Sequence, residues 1–427
     1  MAAANHQLPG AGSVPAPFPL PPTFPPGVNP ETYQIDAVHA LLKEAAYFPI
    51  LSIPDLNNPD APIPSPFHAG RLIGVHVNER PHRFEFHEEA PGAGLGLRSS
   101  HVTGESIAQV HMQWMPCPDN WDAAPGIVPP PTELDVTRSQ RFVMLNGSFT
   151  FDDRDHSGIR AFGAGRTFPT MVNGSPQLGL GSVIEILEGF GKLEGMHGVN
   201  VVNGYIDPPF GMMLCFMLRI VDPHRRLQPD GSSFPPLEAI PDPAPGTAII
   251  VLLGETDPGE PVTLNFAPGG TMLGSNVTES LRLVRINYDI RGRRGIRSHL
   301  NEGPIVGKLQ GTLHFNPLDP RPSFPIFTTN GRLSFFDHDG RDIGSLFANI
   351  DEGTAFRTEL CGAPMPVFRF GGYGAFSTGT GQFAGINGMM TLNAAVSVFP
   401  RTLSNMYILR INDPDGRFRS GLCDAWL

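Results

Sequence analysis

The ten residues Asn146–Asp155, NGSFTFDDRD, return without a gap as NGRLSFFDHD at Asn330–Asp339. In each copy an Asn-Gly turn signal is followed by residues that alternate between apolar and polar, the pattern of a half-buried strand. Each strand ends in closely spaced aspartates, whose side chains we expect to hydrogen-bond the backbone of a turn. A repeated strand and turn of this kind indicates an all-β chain that contains the same unit twice.

Four further blocks recur in the same order, which supports a duplication of most of the chain. The pairs are 75–86 with 251–266, 107–114 with 281–288, 188–203 with 378–393, and 212–223 with 405–414. The alternation and turn signals predict about eight short strands in each unit. Because closure is the commonest way for an antiparallel sheet to hide its edges, we expect two tandem homologous eight-stranded antiparallel β-barrels. A two-sheet sandwich is the alternative.

The predicted domains follow from these two units. Residues 1–66 form a Pro-rich N-terminal arm, 67–225 the first barrel, 226–247 a Pro-rich linker, 248–415 the second barrel and 416–427 a C-terminal tail. Within the arm, Asn29 and Pro30 have the pattern of an N-cap and a first-turn proline, and apolar residues then recur at helical spacing as far as Tyr47. This pattern predicts one short helix over residues 29–47.

The composition argues against several classes of protein. The 49 glycines and 46 prolines disfavour a helical bundle, and the net charge of −11 disfavours a nucleic-acid partner, which needs a basic face. No run approaches the roughly 18 apolar residues of a membrane helix, so we expect no membrane span. The N-terminus lacks a signal-peptide pattern, which favours a cytoplasmic location, whereas three Asn-x-Ser/Thr sequons leave secretion open.

The block Gly379–Gly388, GTGQFAGING, resembles the Gly-Thr-Gly-x-Phe-x-x-x-x-Gly signature of dirigent and allene oxide cyclase-like β-barrels. The first unit departs from the signature, with Phe190 and Leu193 at the Thr and Phe positions. The resemblance implies an apolar pocket that steers a reactive small molecule into one cyclisation or coupling outcome. Natural-product cyclases, including enzymes that accelerate Diels–Alder-type additions, are similar in this sense, and no cofactor is implied.

Positions that are polar or charged in only one copy are the candidates for a specialised site. Lys192, Glu194 and His197 stand where the second unit has Gln382, Ala384 and Asn387. If these residues lie on a strand, Lys192 and Glu194 share one face, either as a surface ion pair or, facing inward, as an acid/base pair with shifted pKa values. The alignment of 107–114 with 281–288 adds one more asymmetric pair. The candidate catalytic residues are therefore His111, Lys192, Glu194, His197 and Arg285.

Aromatic and methionine side chains are the candidates for substrate binding, because Met-rich walls adapt to irregular apolar ligands. The same side chains serve equally well as core fillers. The candidates are Trp114, Tyr288, Phe216 and Met217. Several histidines of the first unit suit zinc or iron in principle, but neither an HxH nor an HExxH spacing occurs, so we expect no metal site.

The resemblance, together with these candidate residues, implies a cofactor-independent cyclase or isomerase, such as a Diels–Alderase-type pericyclase, that acts on an apolar natural-product-like molecule. The alternatives are a non-catalytic carrier of a hydrophobic small molecule and a structural protein with filled barrels. The expected partner is the small molecule itself, and a homodimer is compatible with a duplicated unit. A cavity of roughly 300–1,000 Å³ would separate the first two hypotheses from the third.

Overall fold

The structure is a computed structural model. It describes residues 45–54, 63–65, 72–88, 95–102, 104–113, 140–151, 153–172, 175–207, 211–222, 226–227, 238–239, 247–256, 263–266, 273–289, 297–316, 321, 323–358, 367–397 and 402–412. These residues form two antiparallel sheets, so the all-β prediction is confirmed. Within them the only helical turn is a 3-10 turn at Gly191–Leu193. No helix in this part of the chain is long and apolar enough to cross a membrane.

Sheet A contains eleven strands: β1 Ala45–Pro54, β2 Ile63–Ser65, β3 Leu72–Glu88, β4 Leu95–Val102, β5 Gly104–Gln113, β6 Gln140–Phe151, β7 Gly158–Val172, β8 Ser175–Phe190, β9 Gly198–Asp207, β10 Gly211–Val221 and β11 Glu238–Ala239. The main pairing order is β1-β10-β9-β8-β7-β6-β5-β3, and β1 also pairs with β3. The sheet is curled into a half-barrel.

Sheet B also contains eleven strands: β12 Thr247–Thr256, β13 Thr263–Phe266, β14 Leu273–Asp289, β15 Arg297–Phe315, β16 Ser323–Phe336, β17 Asp342–Phe347, β18 Glu352–Thr358, β19 Val367–Phe376, β20 Thr378–Gly381, β21 Asn387–Ser397 and β22 Thr402–Asn412. Eight of them form a ring in the order β14-β12-β22-β21-β19-β18-β16-β15, and β15 pairs with β14. Strands β13, β17 and β20 extend this ring at its margins.

The segment predicted as a helix and arm contains a strand of sheet A. Residues 29–44 lie outside the described residues, but Ala45–Tyr47 belong to β1, so the last turn of the predicted helix is wrong. β1 pairs with β10 along most of its length. In addition, the turn signals predict two strands, near 71–77 and 82–87, where the structure has the single strand β3. The aspartate turns form as expected, since the Asp337 carboxylate accepts the backbone N–H groups of Asp339 and Arg341 at 2.9 and 2.8 Å.

The strand register changes two parts of the sequence alignment. Ser106 on β5 pairs with Phe149 on β6, and Leu309 on β15 pairs with Leu333 on β16, which corresponds to Phe149 in the repeat. β15 is therefore the counterpart of β5, and the alignment of 107–114 with 281–288 is wrong. This correspondence is hard to recognise from the sequence, because GESIAQVHM at 104–112 and GKLQGTLHF at 307–315 share only a glycine and a histidine.

Two consequences of this register bear on function. His111 corresponds to His314 and not to Arg285, so that pair is no longer an asymmetric position. Strand β14 becomes the counterpart of β3, so the predicted pairing of 75–86 with 251–266, which lies on β12 and β13, is wrong as well. Glu279 then falls at the position of Glu79, since these glutamates pair with Leu309 and Ser106 respectively. Both copies thus carry a glutamate at the same place in the sheet.

Alternation along the strands divides the apolar residues into three clusters. On β12, Ile250 and Leu252 join the core inside sheet B, whereas Ile249, Val251 and Leu253 face the other way into a cluster shared with sheet A. Sheet A has a core of its own, built around β6 to β10. The two sheets therefore pack face to face through one apolar layer, with a separate core behind each.

Candidate active site inside sheet B

Glu279 is a carboxyl group inside the ring of sheet B. On β14, Val277, Glu279 and Leu281 are buried and alternate with the less buried Thr278 and Ser280, as strand geometry requires. Glu279 is only 1% exposed, and both of its inward neighbours belong to the apolar core. A carboxyl group in such a position needs hydrogen-bond partners, because an unpaired buried polar group is costly.

Two residues of β22 supply these partners. The Tyr407 hydroxyl donates to Glu279 Oε2 at 2.9 Å, and Asn405 Nδ2 donates to Glu279 Oε1. Asn405 Nδ2 also donates to the Tyr407 hydroxyl oxygen at 3.1 Å. Asn405 and Tyr407 face inward because they alternate with Ser404, Met406 and Ile408 along the strand. The three side chains form one buried polar cluster, called the Glu279 triad below.

Gly254 makes room for the triad. It lies on β12 between the other two strands and pairs with Leu281 on β14 and Asn405 on β22. A Cβ atom at Gly254 would lie 2.2 Å from Glu279 Oε2 and 2.8 Å from the Tyr407 ring. The polar side chains from β14 and β22 can therefore meet across β12 only because β12 presents no side chain there.

The site favours the protonated form of Glu279 more than water does. Burial raises the pKa of Glu279 from 4.5 to about 7, although the hydrogen bonds from Tyr407 and Asn405 oppose this shift. Burial and the nearby Glu279 charge raise the pKa of Tyr407 well above its ordinary value, so Tyr407 stays protonated. Near neutral pH, Glu279 is therefore present in both forms and is able to accept a proton and to return it.

A cavity of about 40 Å³ adjoins the triad. Its walls are mainly apolar and include Leu309, Leu313, Phe370 and Met390, with Glu279, Asn405 and Tyr407 as polar members. This volume has room for about three water molecules. Ligand pockets for drug-sized molecules are typically about 300–1,000 Å³. The described part of sheet B thus offers a site for a small group and not the large pocket that would admit a whole natural product.

One atom of the triad is left without a partner. Asn405 is 2% exposed and lines the cavity, and its Oδ1 has no hydrogen-bond partner among the described residues. A buried acceptor in this state carries a free-energy cost of about 1–3 kcal/mol. A donor that enters the cavity can remove that cost.

The predicted catalytic residues of the 188–203 block lie elsewhere. Lys192 belongs to the 3-10 turn and not to a strand, so the prediction that it shares a strand face with Glu194 is wrong. Its ammonium group pairs with Asp155 at 3.5 Å, and the exposed Glu194 accepts a hydrogen bond from Arg226 through its backbone oxygen. His197 lies at the surface, where desolvation and then the Arg369 charge lower its pKa.

The remaining predicted residues are distributed over several places. Phe216 is in the core of sheet A, with its ring 5.7 Å from that of Phe149. Met217 is in the layer between the sheets. The backbones of His111, Arg285 and Tyr288 are in β5 and β14, but their side chains lie outside the described residues, as does all of Trp114. The roles of these residues stay predictions.

The signal for the triad was present in a block that was aligned correctly. The pairing of 212–223 with 405–414 places Leu214 opposite Asn405 and Phe216 opposite Tyr407. Two positions on the same face of one strand are thus apolar in the first copy and polar in the second. Sheet A keeps a glutamate at the position of Glu279 but lacks both partners, so the complete triad is specific to sheet B.

Fold and site together define an all-β protein of two packed sheets, one of them ring-like, with a buried carboxyl beside a small cavity. Among the residues that the structure describes, no group of three or more His, Cys, Asp or Glu side chains is placed to hold a metal ion. No protein-family model, no curated protein and no solved structure matches the chain.

Proposed function

We propose that the chain is a cofactor-independent isomerase or cyclase, and that Glu279 transfers the proton in its reaction. The observation that carries this proposal is the burial of the Glu279 carboxyl beside an apolar cavity, where Tyr407 and Asn405 hold it by hydrogen bonds. A buried carboxyl whose pKa lies near neutral pH is suited to general acid–base catalysis.

The fold proposal is that sheets A and B are two tandem homologous barrels of the dirigent and allene oxide cyclase-like kind. It is supported by the equal order of pairings in the two sheets and by the glycine signature at Gly379–Gly388. In both sheets the strand nearest the N-terminus pairs with the last long strand and with the next long strand in the sequence. Such barrels at eight strands have interiors that hold side chains or one small ligand.

The reaction needs no external oxidant or reductant. The Glu279 carboxylate takes a proton from a C–H bond next to a carbonyl group, and the electron pair of that bond moves into the enolate. Where a hydroxyl group neighbours the carbonyl, the enolate is an enediolate, and its hydroxyl proton moves to the former carbonyl oxygen. Protonated Glu279 then returns its proton to the former carbonyl carbon, which gives the isomer in which the carbonyl and hydroxyl groups have exchanged places. Where the enolate carbon instead attacks a second carbonyl carbon of the same molecule, a C–C bond closes a ring and the C=O electron pair moves to that oxygen. Protonated Glu279 gives its proton to this alkoxide, which restores the carboxylate.

The cavity limits what enters the site. Its volume of about 40 Å³ admits a small carbonyl compound or the reacting end of a longer molecule. The apolar walls and the low local dielectric strengthen the interaction of Glu279 with a developing charge. Tyr407 and Asn405 orient the carboxyl group, so they act as positioning residues.

Proton exchange tests the proposal without knowledge of the natural substrate. A panel of small ketones and aldehydes is incubated with the protein in D₂O, and NMR follows deuterium incorporation next to the carbonyl. We expect faster exchange of at least one compound with the wild type and a loss of about 10²–10⁴-fold in Glu279→Gln, the usual contribution of a general base. Glu188→Gln, which changes an exposed glutamate paired with Arg160, is the matched control.

Three outcomes distinguish the hypotheses. Exchange that persists in Glu279→Gln contradicts the role of Glu279. Binding of the panel without exchange supports the non-catalytic carrier. If the folded wild type shows neither binding nor exchange, the hypothesis of a structural protein is the one that remains. Glu279→Asp, which retracts the carboxyl by one methylene, gives a second variant if the glutamine variant fails to fold.

A further inference from the structure

The amide of Asn405 is held in one orientation. Its Nδ2 group donates to both Glu279 and Tyr407, and these two hydrogen bonds fix which end of the amide faces them. The Oδ1 end is left buried and unpaired among the described residues, in a side chain that lines the cavity. While Glu279 is ionised, no described residue donates to this atom, and a donor on a molecule in the cavity would satisfy it.

A missing side chain leaves space in the part of the cavity wall formed by β15, the strand that pairs with β14. Gly311 lies between Leu309 and Leu313 on β15, and all three line the cavity. A Cβ atom at Gly311 would meet its nearest neighbour at 3.4 Å, an ordinary contact, so the backbone there does not require glycine. The absence of a side chain at this position therefore enlarges the cavity without serving the packing.

We propose, resting on the proposed function, that the cavity takes the end of a molecule in which a hydroxyl group neighbours a carbonyl group. The hydroxyl donates its hydrogen bond to Asn405 Oδ1, and the space above Gly311 accommodates that end of the ligand. Glu279 then faces the carbon acid of the same fragment. Asn405 recognises the ligand, and Gly311 determines the size that fits.

Hydroxyacetone and 2-butanone test the recognition directly. They have the same carbonyl and the same number of heavy atoms, and they differ only in a hydroxyl against a methyl group. We expect the wild type to bind hydroxyacetone at least about tenfold more tightly, since the methyl analogue leaves the Asn405 acceptor unpaired. Ligand-detected NMR titration measures both affinities.

Two variants test whether Asn405 is responsible for the preference for hydroxyacetone and Gly311 for the size limit. Asn405→Leu introduces the residue that stands at the corresponding position of sheet A, Leu214, and we expect the affinity ratio to fall to about one. Gly311→Leu fills the space and weakens both ketones together, so the ratio stays while the affinities fall. Near-UV circular dichroism shows whether each variant keeps the wild-type packing.

Each contrary result has a definite meaning. Equal affinities in the wild type, or no binding of either ketone, overturn the proposal without any variant. A preference that survives in Asn405→Leu places recognition elsewhere, and unchanged binding in Gly311→Leu overturns the size limit. Proton exchange without a hydroxyl preference leaves the proposed function standing and removes this inference. A hydroxyl preference without exchange overturns the proposed function and leaves only the binding preference.

Discussion

At the scale of single residues, the chemistry of this protein depends on Glu279. The carboxyl group is almost fully buried, and its described partners are neutral donors, Tyr407 and Asn405. Neutral donors only partly compensate a buried negative charge, whereas a cationic partner would lower the pKa. The site therefore keeps a carboxylic acid that changes its charge near neutral pH, which is the property that proton transfer needs.

The same property predicts a pH dependence of stability. The pKa of Glu279 is 4.5 in the unfolded chain and about 7 in the fold, so the unfolded state releases its proton first as the pH rises. The contribution of Glu279 to the free energy of unfolding is complete below about pH 4.5 and is lost progressively as the pH rises to about 7. The loss amounts to about 3 kcal/mol. Urea denaturation of the wild type between pH 4.5 and 8 measures it.

Glu279→Gln isolates this contribution from the other titrating groups. We expect the difference in unfolding free energy between this variant and the wild type to change with pH over the same interval. Glu188→Gln, the same substitution at an exposed glutamate, is the control for the loss of a carboxyl group outside the core. Parallel curves for Glu279→Gln and the wild type would show that Glu279 titrates normally in the fold.

At the scale of strands, the triad depends on one gap in β12. Gly254 separates β14 from β22 and leaves the space in which Glu279, Asn405 and Tyr407 meet. In sheet A the counterpart of β12 is β1, and Ser52 stands at the position that corresponds to Gly254. Side-chain size at a single position of the central strand thus helps to decide which of the two sheets holds the polar cluster.

Substitution of Gly254 tests this dependence. Gly254→Ala places a methyl group against Glu279 and Tyr407, and we expect a loss of stability of about 1–3 kcal/mol from overpacking. Gly311→Ala is the matched control, because the added methyl group meets only ordinary contacts beside the cavity. Urea unfolding of both variants decides the matter. Equal losses would mean that the space at Gly254 is not specifically required.

At the scale of the whole molecule, the two sheets are joined by a reciprocal set of hydrogen bonds. Asn203 Nδ2 donates to the backbone oxygens of Met389 and Ile408 at 3.1 and 3.0 Å. Asn393, its counterpart in the repeat, donates to the backbone oxygens of Val199 and Met217 at 2.8 Å each. The reciprocity gives the interface an approximate twofold symmetry, as a duplicated unit predicts.

Buried arginines and close backbone contacts extend this symmetry. Arg219 donates to the backbone oxygen of Ser404 at 2.7 Å, and its counterpart Arg410 donates to Asn203 Oδ1 at 3.2 Å. Gly181 and Gly371 allow close approach, since a Cβ atom at either would lie 2.6 Å from a side chain of the other sheet. Sheet A thus presents one face to sheet B across a continuous buried surface.

This interface predicts that the two sheets unfold together. We expect Asn393→Ala to reduce stability by about 1–3 kcal/mol, because two backbone oxygens lose a donor in a buried layer. Asn276→Ala is the control, since Asn276 is exposed and accepts a single hydrogen bond from Thr312. Calorimetry measures both. A wild type that melts in two separate transitions, with Asn393→Ala affecting neither, would contradict a shared interface.

The strands were predicted well where the repeat and the alternation agree. The pattern predicts strands near 211–221 and 142–153. β10, Gly211–Val221, has the first of these ranges, and β6, Gln140–Phe151, begins and ends two residues before the second. The end of the predicted helix was wrong. The apolar residues of 29–47 fit a helical period, but Ala45–Pro54 obtain their hydrogen bonds from β10 and β3, which are distant in the sequence. Local propensity does not contain that information.

The site was predicted less well than the fold. Asymmetry between the copies was a sound criterion, and applied to Asn405 and Tyr407 it would have found two members of the triad. It failed for Glu279, which has Glu79 at the same register position and therefore shows no asymmetry once the strands are correctly paired. It also selected Lys192 and Glu194, which differ between the copies because they lie in an exposed turn.

The sequence by itself determined the strand class and the internal repeat, because both are expressed in residues that are near one another or repeated in order. Only the tertiary structure decided the site. Glu279 and Asn405 are separated by 126 residues, and they meet because β12 brings β14 and β22 together on either side of Gly254. Strand alternation states that a side chain faces inward, whereas the register of non-local pairs states what it meets there.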